Sequence, residues 1–155
     1  ELFRRSLYTL WKRTVPNPTL QTFDAPDRAL CTVQRQATCT PLQAFVTMND
    51  VTYLEASRVF AQRILRESGD TSSRSRIDRA FRTALARPAT VREQEAMGRL
   101  VTDLDGLYAD NPKAAEELVR VGKSPGIASI PSRELAVWTG LASVILNLDE
   151  CVTRE

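Results

Sequence analysis

The chain has 155 residues, 43% hydrophobic and 26% charged, enough to bury a core without a stabilising metal or disulfide. Its 21 basic and 19 acidic residues leave a net charge of +2, which disfavours nucleic acid and anionic lipid as partners of the chain as a whole. There is no histidine, and that removes His-based general catalysis, His-containing zinc and copper sites and axial His ligation of haem.

Residues 2 to 15 place Phe3, Leu7, Leu10, Trp11 and Val15 at helical spacings, with Arg5, Lys12 and Arg13 on the other side of the wheel, and predict an amphipathic helix. The apolar side of that wheel accounts for Trp11 by core packing and leaves Arg4, Arg5, Lys12 and Arg13 as a solvated basic face. The chain starts inside this pattern without a Met and reads as a piece of a longer polypeptide. No run approaches the ~20 apolar residues of a membrane span, so no membrane insertion is expected.

Pro16 and Pro18 end the first helix, and residues 16 to 40 carry breaker signals that predict an ordered, irregular segment. Thr40-Pro41-Leu42-Gln43 then reads as N-cap, N1 proline and capping-box partner of a helix running to about Met48, and Thr40→Ala should cost more than Gln43→Ala. Asn49-Asp50 caps a longer helix whose apolar stripe is Tyr53, Leu54, Phe60, Ala61, Ile64 and Leu65, against a polar side of Glu55, Gln62, Arg63 and Arg66. Ser68 to Ser75 reads as a solvated loop, and Ile77, Ala80, Phe81, Ala84 and Leu85 as the next buried face.

Thr90 with Glu93 forms a second capping box, and Met97, Leu100, Val101, Leu104 and Leu107 of the helix it starts face inward. Asn111-Pro112 starts another helix, and Gly122 stands where a closing glycine belongs. The last helix, about Ser132 to Asn147, has few charges beyond its first turn and should be the most buried. The fold class is therefore all-α, an irregular bundle of about six helices. It is expected to form a single domain over residues 1–155, with the helix and loop-rich segment of 1–40 packed on a bundle of 41–155.

Asp24 and Asp27, three residues apart around Pro26, are the candidate acid and base, and Arg28 and Arg35 the candidate binding residues for an anionic group. The competing account gives one Asp a turn or cap bond and the other an ion pair with Arg28 or Arg35. Asp103-Leu104-Asp105-Gly106 is not a calcium loop, because the glycine and the later oxygen ligands fall at the wrong offsets. Cys31, Cys39 and Cys151 match no zinc or haem spacing, so no metal or cofactor is expected in this chain; a Cys31–Cys39 disulfide stays open alongside free thiols.

The runs Arg4 to Arg13, Thr22 to Arg28, Thr40 to Ala44 and Leu146 to Glu150, in that order, resemble the C-terminal domain of unknown function in large planctomycete-type secreted proteins. Many of those proteins carry a c-type cytochrome domain near their N-terminus. The resemblance implies a helical C-terminal module of an exported or cell-envelope parent, with haem only in another domain, and it supplies no catalytic residues. This chain departs from that pattern at Cys39, where Asn is more usual, and at Cys151, where an aromatic is. Two functions of different class follow. One is a non-catalytic structural or interaction module that docks on other domains of its parent or on a second envelope protein, or self-associates. The other is part of a hydrolase of sulfated or acidic polysaccharide, worked by Asp24 and Asp27 with Arg28 and Arg35.

Overall fold

The structure, a computed structural model, describes residues 8–12, 14–26, 30–34, 36, 38–67, 72–126 and 129–152. Among them the chain forms eight α-helices and no strand: α1 Pro18–Thr22, α2 Pro41–Asn49, α3 Val51–Glu67, α4 Ser73–Leu85, α5 Val91–Asp110, α6 Pro112–Arg120, α7 Ser132–Leu146 and α8 Asp149–Val152. The chain divides into two compact units, Glu1–Val46 and Thr47–Glu155, and α2 runs through the boundary.

The larger unit is an all-α bundle organised around α7. After Glu134 the sequence of that helix holds no charge, so it can bury most of its circumference, and Leu135, Ala136, Val137, Trp138, Thr139, Leu141, Ala142 and Ile145 are all buried. Ala61 and Ile64 from α3 and Ile77, Ala80 and Phe81 from α4 complete the core, with Met97 and Val101 of α5 and Val119 of α6 half-buried against it. Gly140 permits a close approach between helices, since a Cβ there would stand 2.7 Å from Leu104 Cδ1. Three of the helix starts in this unit follow directly from local chemistry. Ser72 caps α4 through the Ser75 N–H, Thr90 and Glu93 exchange the reciprocal bonds of a capping box at α5, and Asn111 with Pro112 starts α6.

Several expectations need correction. Phe3, Arg4, Arg5, Leu7 and Arg13 lie outside the described residues, but residues 9–12, 14 and 15 form no α-helix. Leu10 and Val15 are exposed and Trp11 is half-buried, so these residues do not form one buried stripe, and a helix this short is marginal without burial. Residues 16 to 40 are not wholly irregular either: Asn17 and Pro18 act as N-cap and N1 of α1, the same chemistry as Asn111-Pro112. Residues 73–75, expected in a loop, are helical behind the Ser72 cap, and Leu107 points to solvent. The buried face of α3 includes Glu55, Ser57, Arg58 and Gln62, so two residues assigned to its polar, outer side lie inside. The all-α bundle of about six helices is as expected, with α2 to α7 as the six longer helices and the short α1 and α8 added among the described residues.

Candidate functional site

The acid pair proposed from sequence falls in the smaller unit. Asp27, Arg28 and Arg35 lie outside the described residues; Asp24 lies within them. Helix α1 ends at Thr22, and the chain turns through Phe23 and Asp24, with the Asp24 N–H donating to Gln21 O at 3.0 Å and the Ala25 N–H to Leu20 O at 2.9 Å. The turn requires a left-handed residue, and Asp24 takes φ 57°, which Asp tolerates better than most side chains. Its Oδ2 accepts two hydrogen bonds from Thr38, one from the backbone N–H at 2.8 Å and one from the hydroxyl at 2.7 Å. Asp24 thereby ties the end of α1 to the residues entering α2.

Gln43 completes this staple. Its Oε1 accepts from the Thr40 N–H at 3.1 Å while Thr40 Oγ1 accepts from the Gln43 N–H at 3.3 Å, which is the capping geometry. Its other end does more: Nε2 donates to Thr22 O at 2.8 Å and stands 3.4 Å from Asp24 Oδ2 and 3.3 Å from Thr38 Oγ1. With the side chain only 4% exposed, truncation would strand the Thr22 carbonyl as well as the cap. Against the expectation that Gln43→Ala costs less than Thr40→Ala, this further bond gives Gln43 more to lose on truncation than the cap alone. Nothing in the sequence pattern marks Thr38, or the second role of Gln43, because they depend on contacts 14 and 21 residues away along the chain.

Oδ2 of Asp24 is occupied by the two Thr38 donors, and through it the side chain serves as a hydrogen-bond acceptor that fixes a loop. Cys31 and Cys39 are free and exposed, and Cys151 is a half-buried free thiol whose pKa burial pushes up. Among the described residues no group of three or more His, Cys, Asp or Glu side chains could hold a metal ion.

The larger unit has two polar clusters of its own. Glu55, on α3, reaches the turn after α6: its Oε1 accepts from the Lys123 N–H at 2.9 Å and from the Ser124 N–H. Gly122 is essential to this, because its φ of +92° is left-handed and a Cβ there would lie 2.4 Å from Glu55 Cδ. The hydrogen bonds from Ser124 and Lys123, with Arg58 nearby, hold the Glu55 carboxyl below its ordinary pKa against the opposing effect of burial. Arg58, 1% exposed, donates from Nη2 to Ser124 O at 2.8 Å and lies 4.0 Å from Glu55 Oε1. The pair clamps both polar groups of one turn.

In the second cluster Arg87 bridges Glu93 and Glu150, each 2.7 Å from Nη2, and lies 5.5 Å over the Phe81 ring. The hydrogen bonds from Arg87, followed by those from Thr90, bring the Glu93 pKa down to about 2. Thus Glu93 both completes the cap of α5 and anchors the arginine that reaches α8. The capping half of this role is legible from Thr90-x-x-Glu93; the partner Glu150 is not, being 63 residues beyond Arg87.

These features define the class: an all-α protein in which polar side chains fasten loops to helix ends. The chain belongs to the family described as PSD1, protein of unknown function (DUF1553), whose model matches residues 1–101. No curated protein matches it. No solved structure does either.

Proposed function

We propose that the chain is a non-catalytic docking module of a larger exported or cell-envelope protein, and that it binds another domain of that parent or a second envelope protein. The observation that carries this reading is the apolar surface of the smaller unit, where Tyr8, Leu10, Val15, Leu30 and Val33 are all exposed, the last two 80% and 103%. Burial of such side chains against a partner releases roughly 25 cal/mol per Å² of apolar area, enough to favour docking without charged contacts. The exported, envelope setting rests on the resemblance of the four ordered sequence runs, and haem, where the parent has it, belongs to a different domain. The use of Asp24 in fastening Thr38 supports the structural role over acid-base chemistry.

The experiment is titration of the chain with the domain that precedes it in its parent, followed by calorimetry. Saturable binding with a negative heat-capacity change is the expected result. Release of reducing ends from a sulfated or acidic polysaccharide by the chain alone, with no binding to that domain, would replace this reading with the hydrolase.

A further inference from the structure

The charges of the larger unit are sorted along the chain. Between Ser57 and Arg92 the sequence holds nine arginines and three acidic residues, whereas between Glu93 and Glu117 it holds seven acidic and two basic ones. Internal pairing consumes part of each set: Glu67 takes Arg63 at 2.9 Å and Arg79 at 3.6 Å, and Arg133 closes on Asp105 at 2.6 Å. Arg66 on α3 and Asp103 and Asp110 on α5 are exposed and have no ion-pair partner among the described residues.

Helical spacing places these unused charges around exposed apolar side chains. On α3, Val59, Arg63 and Arg66 follow one another at i, i+4 and i+7; on α5, Asp103, Leu107 and Asp110 do the same. Val59 is 41% exposed and Leu107 58%. Gly106 lies on the same side of α5, and nothing stands within 4 Å of where its Cβ would be, so the surface beside Leu107 is open. Arg63 is paired with Glu67, and Arg99, one turn before Asp103, is paired with Glu95, so among the described residues the charge left unpaired beside Val59 is Arg66 and beside Leu107 is Asp103 and Asp110. These leftover charges are opposite in sign on the two faces. A nucleic acid or an acidic polysaccharide would use only the arginine face. A partner that carries both faces uses both.

We propose that the larger unit pairs with a second copy of this chain, the Val59–Arg63–Arg66 face of α3 in one copy lying on the Asp103–Leu107–Asp110 face of α5 in the other. The two faces differ, so the contact is heterologous and its repetition gives a head-to-tail series. Exposed ion pairs are individually weak, so the association is concentration-dependent and salt-sensitive.

The test is sedimentation of the full chain over a concentration series at ionic strengths of about 0.1 M and about 1 M, between which the screening length falls from about 10 Å to about 3 Å. The expected result is a weight-average mass that climbs above 17.3 kDa with concentration at the lower salt. The dissociation constant should rise about tenfold or more at the higher salt. Arg66→Glu and Asp110→Lys should each keep the chain monomeric with unchanged helical content, and an equimolar mixture of the two should associate again. A chain that stays monomeric at low salt overturns the proposal, and so does one that is monomeric yet binds polyglutamate or heparin through Arg66. Association that ignores salt and both reversals also overturns it, while leaving the apolar docking surface of the smaller unit untouched.

Discussion

The two units solve the same problem with different materials. In the larger one, α7 is sheathed by α3, α4, α5 and α6, and thirteen buried apolar side chains form its core. The smaller one has none among its described residues; its order comes from Asp24, Thr38, Thr40 and Gln43, which convert a turn and a helix start into one hydrogen-bonded knot. Hydrophobic burial is non-directional and tolerates small changes of volume, whereas a polar knot depends on each donor meeting its acceptor. The larger unit should therefore lose stability in proportion to what is removed, and the smaller one should lose its local order when any central member is deleted.

The largest effect is expected where the larger unit departs from this rule. Arg58 is among its most deeply buried side chains, and removing it leaves the Glu55 carboxylate buried beside an emptied volume and the Ser124 carbonyl without its donor. Arg58→Ala should cost on the order of 3 kcal/mol, read as a shift of the denaturant midpoint followed by Trp138 fluorescence in a Trp11→Phe background. Arg58→Met, which keeps most of the volume, should recover part of that loss. Full recovery would mean that packing, not the clamp on the 122–124 turn, is what Arg58 contributes.

A smaller effect is expected in the polar knot. Gln43→Ala removes the cap acceptor and strands the Thr22 carbonyl, and should cost about 2 kcal/mol, against about 1 kcal/mol for Thr40→Ala. Gln43→Glu separates the two roles, because a carboxylate still accepts from the Thr40 N–H but cannot donate to Thr22 O and stands near Asp24. Hydrogen exchange at the Thr38 amide is the measurement. Protection should fall in the order natural chain, Thr40→Ala, Gln43→Ala, and Gln43→Glu should resemble Gln43→Ala. If Gln43→Glu instead protects Thr38 as well as the natural chain does, the donor end of Gln43 contributes nothing.

The contrast between the units also explains which parts of the structure the sequence revealed. Ile77, Ala80 and Phe81, or Leu135, Trp138 and Leu141, advertise themselves by helical periodicity, because a buried stripe is a property of one segment. The capping pairs Thr40 with Gln43 and Thr90 with Glu93 were visible for the same reason, their partners being three residues apart. Asp24 was visible as a turn residue, but its partner Thr38 was not. Nor was the inward face of Glu55 and Gln62, since a charged residue is placed outside by default and only a turn nearly seventy residues later gives Glu55 something to bind. Residues 9–12, 14 and 15 of the expected N-terminal helix depart from it for the converse reason: the periodicity is present, yet Leu10 and Val15 are exposed.

The smallest expected effect sharpens the comparison through pH. Arg87 holds Glu93 at a pKa of about 2 in the folded chain, against an ordinary 4.5, and Glu150 and Asp78 are likewise lowered by Arg87 and Arg82 respectively. A carboxyl with a depressed folded pKa binds its proton more readily in the unfolded chain, so its contribution is complete above the unfolded value and lost as pH falls through the folded one. The stability of the larger unit should therefore be level from neutrality down to about pH 5 and decline between there and about pH 2. Because the Arg87–Glu93 pair is partly solvated, with side chains 31% and 28% exposed, its share of the decline should be about 1 kcal/mol rather than what the shift alone implies. Urea midpoints taken across that range on the natural chain and on Arg87→Gln are the check. The variant should be less stable at pH 7 and should lose less on acidification, the two curves converging near pH 2. Curves that stay parallel would show that Arg87 does not couple the α5 cap and α8 to the protonation of Glu93.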